Sequence, residues 1–437
     1  MNFKQQIIRI LTVVLFTASP LTAVQAEESG ELNEYTLEEV VVLSRHNIRA
    51  PLSSKGSVLD NATPYTWFNW SSNASELSLR GGILETEMGQ YFRKWLESEE
   101  LIPENYRPTG DEVRFYANAK QRTIATAQYF SSGFLPVANV TIETNQEYDK
   151  MDPVFLPGLT FVNEEYAEAA KKQMAEAVPD LSKEYELLSD VIGYTESDGY
   201  KNKELSDLVN GDVEFILETG KEPQMKGSLK TATSISDALV LQYYEEPDAE
   251  KAAFGHAMSQ ADWEAISRIK DTYNDVLFAT PLIASNVAHP LLQEIDSELE
   301  QKNRKFTFLC GHDSNIGSVL AALDVKDYSL PNTIEKNTPI GSKVVFEKWK
   351  DSKNEEYIRV QMIYQSTDQL RTTPLLSLDN PPMVYTLSFN GLEETADGLY
   401  SYKEFDRHLD ESIAEYDVIC ETYHITEKTS VPDTGVR

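Results

Sequence analysis

The chain has 437 residues, a hydrophobic fraction of 41% and a formal net charge of -32. That length suits one large domain with an insertion, or two domains, and the composition is that of an ordinary soluble globular protein. So acidic a surface repels nucleic acid and anionic membranes, which excludes both as expected partners and makes any group of arginines conspicuous.

At the N-terminus, Lys4 and Arg9 precede an apolar run from Ile10 to Ala18, and small residues follow in AVQA, Ala23 to Ala26. The pattern predicts a secretory signal peptide over residues 1–26, because the run is too short to cross a bilayer. No later segment has the length of a membrane helix, and no Cys follows the run to carry a lipid anchor. The mature protein is expected in a periplasm or outside the cell. Asn-x-Ser/Thr triplets begin at Asn61, Asn69, Asn73 and Asn139, and they matter only in a host that glycosylates.

Glu38 to Leu43 places apolar residues on consecutive positions, which predicts a strand buried on both faces. Leu84 to Ser98 has helical spacing, Val113 to Ala117 reads as a strand and Gln121 to Phe130 as a helix. Residues 148–286 change character. They are rich in Ala, Glu, Lys and Leu, with helical spacing at Glu164 to Ala177 and Ser234 to Tyr244. Lys305 to Cys310 is again a short apolar strand, and a helix is expected to start near Asn315. Late strands are predicted at Lys343 to Trp349, Tyr357 to Tyr364 and Val384 to Phe389.

Strand–loop–helix units at both ends of the chain, with a helical block between them, predict an α/β fold. Its mixed, mostly parallel sheet is flanked by helices and carries an inserted, mainly α-helical cap domain. Residues 27–147 and 287–437 would form the discontinuous α/β domain, and 148–286 the cap.

The only cysteines, Cys310 and Cys420, could form a bridge or stay as buried thiols. No HExxH and no other metal-ligand spacing occurs among the six histidines. No metal or other cofactor is therefore expected.

Two loops carry chemistry. Arg45, His46 and Arg49 follow the first strand, and His312 and Asp313 follow the strand at 305–310. Ligands of open α/β sheets bind just beyond the carboxyl ends of strands. If these two strands are neighbours, the side chains converge beside the N-terminus of a helix, which favours an anion. Alone, each loop is most simply a surface loop or a helix cap. Together they have the parts for phosphoryl transfer. Arg45 and Arg49 can clamp phosphate oxygens, a neutral His46 can attack phosphorus, His312 can meet the developing charge, and Asp313 can protonate the leaving oxygen and then activate water.

RHNIRAP (residues 45–51) and GHDSN (311–315) resemble the RHxxRxP and HD signatures of the histidine acid phosphatases, a branch of the histidine phosphatase superfamily. The likeness extends over most of the mature chain. The resemblance implies a phosphohistidine on His46, a general acid at Asp313, phosphate binding by Arg45, Arg49 and His312, and no metal. YANAKQRTIATAQYF (116–130) resembles the segment that supplies the family's third phosphate-binding arginine, which falls on Arg122. From spacing alone, Arg122 reads as a solvated helix residue.

SISDALVLQYYE (234–245) and TPIGSKVVFEKW (338–349) look like the glucose-1-phosphatase branch. Phytases of the family typically have Gly after the His and Thr after the HD, where this chain has Asn47 and Ser314. The implied substrate is a small phosphate ester, a sugar phosphate such as glucose 1-phosphate. The alternatives are a phytase or broad acid phosphatase with the same mechanism, and a binding protein for phosphorylated sugars.

Overall fold

A computed structural model describes residues 34–52, 57–209, 211–395 and 398–429. The predicted signal peptide lies outside the described residues. The strands are β1 (Tyr35–Arg45), β2 (Val113–Ala117), β3 (Val213–Ile216), β4 (Gln224–Gly227), β5 (Phe306–Gly311), β6 (Lys343–Asp351), β7 (Glu356–Tyr364), β8 (Met383–Thr386) and β9 (Tyr400–Ser401). The helices are α1 (Leu79–Ser98), α2 (Gln121–Phe134), α3 (Glu164–Glu176), α4 (Ser182–Val191), α5 (Asp198–Lys201), α6 (Ser228–Glu245), α7 (Ala249–Ala252), α8 (Gln260–Phe278), α9 (Pro281–Val287), α10 (His289–Leu299), α11 (Asp313–Ala322), α12 (Thr367–Thr372) and α13 (Tyr402–Thr422).

Among the described residues the main sheet has seven strands in the order β2-β5-β1-β6-β7-β8, with β9 on β7. It is mixed, as expected. β5 pairs in parallel with both β1 and β2, while β6, β7, β8 and β9 extend the sheet by antiparallel pairing.

The consecutive apolar residues of β1 have the reason the sequence suggests. Val40 and Val42 point into one apolar layer, and Val41 and Leu43 into the other. The first layer is aromatic. Phe130 of α2 stacks on Phe308 of β5 at 4.3 Å between ring centres, and Phe134 meets Phe306 at 4.3 Å. Helices α1 and α2 cross with their backbones in contact at two glycines. A Cβ on Gly89 would lie 2.1 Å from Phe130 O, and one on Gly133 would lie 2.0 Å from Thr86 O. Helices α10, α11 and α13 supply the layer on the opposite face of the sheet.

Three details differ from the sequence expectations, and one open alternative is decided. The segment 148–286 is mainly helical but also holds the antiparallel pair β3–β4. Strand β8 ends at Thr386 rather than Phe389, and Leu387 and Phe389 join the core beyond it. Helix α11 starts at Asp313 rather than near Asn315, because Asn315 folds back to cap it: its Oδ1 accepts the His312 N–H at 2.9 Å. Cys310 and Cys420 are both free and buried, in different apolar clusters, so the possible bridge is absent. Helix α13 had no counterpart in the sequence analysis. Its buried residues Phe405, Leu409, Tyr416 and Ile419 are spread thinly among charges, so the apolar stripe is weak.

Candidate active site

The register of three strands assembles the site. Arg45 at the end of β1 lies opposite Gly311 at the end of β5, and Ala117 at the end of β2 lies opposite Cys310. The residues that follow therefore emerge side by side. His46 N–H donates to Gly311 O at 3.1 Å, and Asn118 N–H donates to Cys310 O at 2.9 Å. The His46 and His312 rings sit edge to face with centres 5.5 Å apart. Arg122 enters from the first turn of α2 and is buried, not solvated as its spacing suggested.

Arg45 is fully buried at the centre of a charge network. Its Nη1 donates to Glu335 Oε1 at 2.8 Å and to Thr338 O at 2.5 Å, while Nη2 stands 3.3 Å from Asp313 Oδ2. Glu335 also takes Lys270 Nζ at 2.6 Å, the Tyr244 hydroxyl at 2.9 Å and the Ile340 N–H at 3.0 Å. Burial pushes the Glu335 carboxyl up, but Lys270 and Arg45 outweigh it and hold the carboxyl at about 2. Arg49 Nη2 pairs with Asp237 Oδ2 of α6 at 3.1 Å. Arg45 Nε and Arg49 Nε are buried without a hydrogen-bond partner. Each such donor costs about 1–3 kcal/mol to leave unpaired, and in a cluster of arginines a bound anion would satisfy both.

The two histidines are held by defined hydrogen bonds. His46 Nδ1 lies 2.9 Å from Asn47 O, a pure acceptor, so Nδ1 carries the proton and Nε2 keeps its lone pair. Burial, and then the charges of Arg122, Arg49 and Arg45, push His46 well below 6.5, so the ring is neutral at neutral pH. His312 is oriented by Asn118, whose Oδ1 accepts Asp152 N–H at 2.9 Å and whose Nδ2 therefore donates to His312 Nε2 at 2.7 Å. On the other side of the ring, His312 Nδ1 lies 3.4 Å from Arg122 Nη2. Arg122 and His312 thus face the same small volume beside His46.

Asp313 opens α11, and its side chain is about 35% exposed. Burial raises its carboxyl, but Arg45 and then Lys270 outweigh that and hold it well below the ordinary range. It is ionised in the substrate-free site.

The structure thus brings together all the residues named from sequence: Arg45, His46, Arg49, Arg122, His312 and Asp313. Sequence reasoning missed Asn118, Asp237, Lys270 and Glu335. Asn118 had a signal, since it directly follows a strand end, where ligand-facing residues collect. Lys270 lies on a helical face between buried Ile266 and Ile269 and Val276, an unusual place for a lone cation.

The model of the histidine phosphatase superfamily (branch 2) matches residues 36–364. The chain belongs to that family. Among curated members of the histidine phosphatases, the glucose-1-phosphatase of Providencia rettgeri is 36% identical over 417 residues, which cover 93% of this chain and 99% of that protein. The glucose-1-phosphatase of Salmonella typhimurium is 38% identical, over 88% of this chain and 94% of that one. The solved structure of a Hafnia alvei phytase superposes with a TM-score of 0.80 at 26% identity, over 88% of this chain and 98% of the other. The matched span of this histidine phosphatase includes both loops, α2 and the whole parallel core of the sheet.

Proposed function

We propose that this histidine phosphatase hydrolyses sugar phosphate monoesters, such as glucose 1-phosphate, through a phosphohistidine on His46. The observation that carries the reading is the lone pair of a neutral His46 Nε2 standing among three buried arginines. The similarity to two glucose-1-phosphatases over most of the chain supports the substrate class.

The phosphoryl group lies among Arg45, Arg49, Arg122 and His312, which balance its charge. His46 Nε2 attacks phosphorus as the ester P–O bond breaks. Asp313 delivers a proton to the departing sugar oxygen. Asp313, now a carboxylate, takes a proton from water; the water oxygen attacks phosphorus, the P–N bond breaks, and inorganic phosphate leaves.

Asp237 and Lys270 reach this cluster from α6 and α8. That supports reading residues 148–286 as the cap over a discontinuous catalytic domain of 27–147 and 287–437. The signal-peptide pattern read over residues 1–26 supports action in a periplasm or outside the cell.

The test is a substrate panel on purified enzyme, with glucose 1-phosphate, inositol hexakisphosphate and 4-nitrophenyl phosphate. Glucose 1-phosphate should give the highest kcat/KM of the two natural esters. A preference for the hexakisphosphate would overturn the substrate class. A phosphoryl label that is lost in acid and kept in base should mark phosphohistidine in quenched wild type. His46→Ala should neither trap phosphate nor turn over, and retained activity would overturn the mechanism.

A further inference from the structure

Behind the nucleophile lies a fully buried ion pair that the reaction above does not use. Lys343 Nζ and Glu85 Oε1 are 3.1 Å apart, and neither residue has any exposed surface. Their surroundings are aromatic: Lys343 Nζ lies 5.6 Å from the Phe130 ring centre and 5.9 Å from that of Phe308. An ion pair in such a place adds little or no net stability over a well-packed apolar pair, because desolvating two charges costs several kcal/mol. Its geometry shows another role.

Glu85 Oε1 also accepts Asn47 Nδ2 at 2.7 Å. The same Asn47 side chain accepts the Ile48 N–H on Oδ1 at 2.8 Å. The peptide plane joining Asn47 to Ile48 therefore has one end, its N–H, tied to an amide that Glu85 anchors. The other end of that plane is Asn47 O, the acceptor of His46 Nδ1–H. Gly341 shows how closely the amide is enclosed: its N–H donates to His46 O at 3.1 Å, and a Cβ there would lie 2.3 Å from Asn47 Nδ2. Lys343 completes the set by donating to Gly341 O at 2.8 Å.

We propose that Glu85, charge-balanced by Lys343, is a positioning residue for the phosphatase reaction: through the Asn47 amide it locks the 47–48 peptide plane, whose carbonyl keeps the proton on His46 Nδ1 and leaves Nε2 as nucleophile. The proposal rests on the reading of His46 as the phosphorylated residue. Charge-assisted hydrogen bonds in series within a dry interior polarise one another, which stiffens the whole chain of contacts.

The decisive variant is Glu85→Leu/Lys343→Met, which replaces the pair by apolar side chains of similar size. It should fold with equal or greater stability. With 4-nitrophenyl phosphate its kcat should fall roughly ten- to hundredfold, the loss expected when a reacting group is held less accurately. Competitive inhibition by inorganic phosphate, which reads the arginine cluster, should stay unchanged. Histidine 15N spectra should show a single Nδ1–H tautomer for His46 in wild type and a mixture in the variant. A stable variant with wild-type kcat and an unmixed tautomer would overturn the proposal.

A second route does not depend on that variant folding. Asn47→Asp sets a carboxylate against Glu85 and should lower kcat. Adding Glu85→Gln, whose amide can donate to the introduced carboxylate while Lys343 keeps the charge balanced, should restore it. Absence of rescue, in proteins that bind phosphate normally, overturns the proposal. If wild type itself forms no phosphohistidine, the underlying mechanism falls instead, so the two failures are distinguishable.

Discussion

Arg45 Nη2 and Asp313 Oδ2 stand 3.3 Å apart, joining the end of β1 to the start of α11 across the parallel β1–β5 pair. The contact makes Asp313 an anion in the free enzyme, although the proposed acid role needs it protonated. A bound phosphate dianion would offset Arg45 and raise the Asp313 carboxyl, so the catalytic proton is expected to arrive with the substrate.

This predicts a pH profile. A phosphate monoester loses its second proton near about pH 6. Above that, kcat/KM for an alkyl ester such as glucose 1-phosphate should fall as the proton-carrying form disappears. His46 does not cause this limb, because its value is depressed and the ring is already neutral there. Asp313→Asn should slow glucose 1-phosphate far more than 4-nitrophenyl phosphate, whose leaving group needs little protonation. Parallel pH–rate curves for the two substrates, wild type against variant, check this. Equal losses would exclude an acid role for Asp313.

His46 also links pH to stability. Its folded value lies below its unfolded one, so the unfolded chain binds the extra proton. Stability is full above the unfolded value of about 6.5 and is lost as pH falls toward the folded value. His46→Ala should therefore show a shallower decline of Tm than wild type between about pH 6.5 and about pH 5. Thermal unfolding followed by circular dichroism at several pH values measures it, and identical slopes would contradict the depressed value.

Asn118 should act on the reaction through His312. Asn118→Asp would accept the proton of His312 Nε2 and fix Nδ1 as an acceptor facing Arg122 Nη2. Loss of one donor to the phosphoryl oxygens costs on the order of a hundredfold in kcat. Inhibition by inorganic phosphate should weaken with it. Unchanged phosphate inhibition would show that His312 does not face the anion.

Glu335 holds two buried cations at once, Arg45 and Lys270. Glu335→Gln leaves both without their shared counter-charge, and breaking a buried pair costs about 3–5 kcal/mol. Urea unfolding should show a loss of that order. Arg45 keeps Asp313 and Lys270 keeps Asp271, at 3.3 Å each, so the two cations are under-compensated, and adding Lys270→Met should recover part of the loss by removing one of them. No recovery would mean that Asp271 alone balances Lys270.

The thiols supply a simple check of the fold. Cys310 and Cys420 are both buried, and burial raises the thiol of each. Neither should react with an aromatic disulfide reagent in the native protein, and both should react once the chain unfolds, with no prior reduction. A reagent-silent unfolded chain would mean that the cysteines are bridged.

Much of this was legible along the chain because it is written in neighbouring residues. Four apolar residues in a row announced a strand buried on two faces, and the polar loops directly after β1 and β5 announced a site at strand ends. Helix starts and strand ends moved by a few residues where a side chain intervened, as Asn315 does at the start of α11.

By itself the sequence determined the class of chemistry, since the proposed nucleophile and acid sit with two arginines in two short contiguous motifs, and resemblance added Arg122. Only the tertiary structure decided protonation and tautomer. Those depend on Glu335 and Lys270 beside Arg45, on Asn118 beside His312, and on Glu85 and Lys343 behind His46. These partners come from distant segments, and strand register and helix packing bring them within hydrogen-bond reach. Electrostatic and hydrogen-bond energies depend on that separation in space and on exclusion of water, neither of which leaves a local pattern in the order of residues.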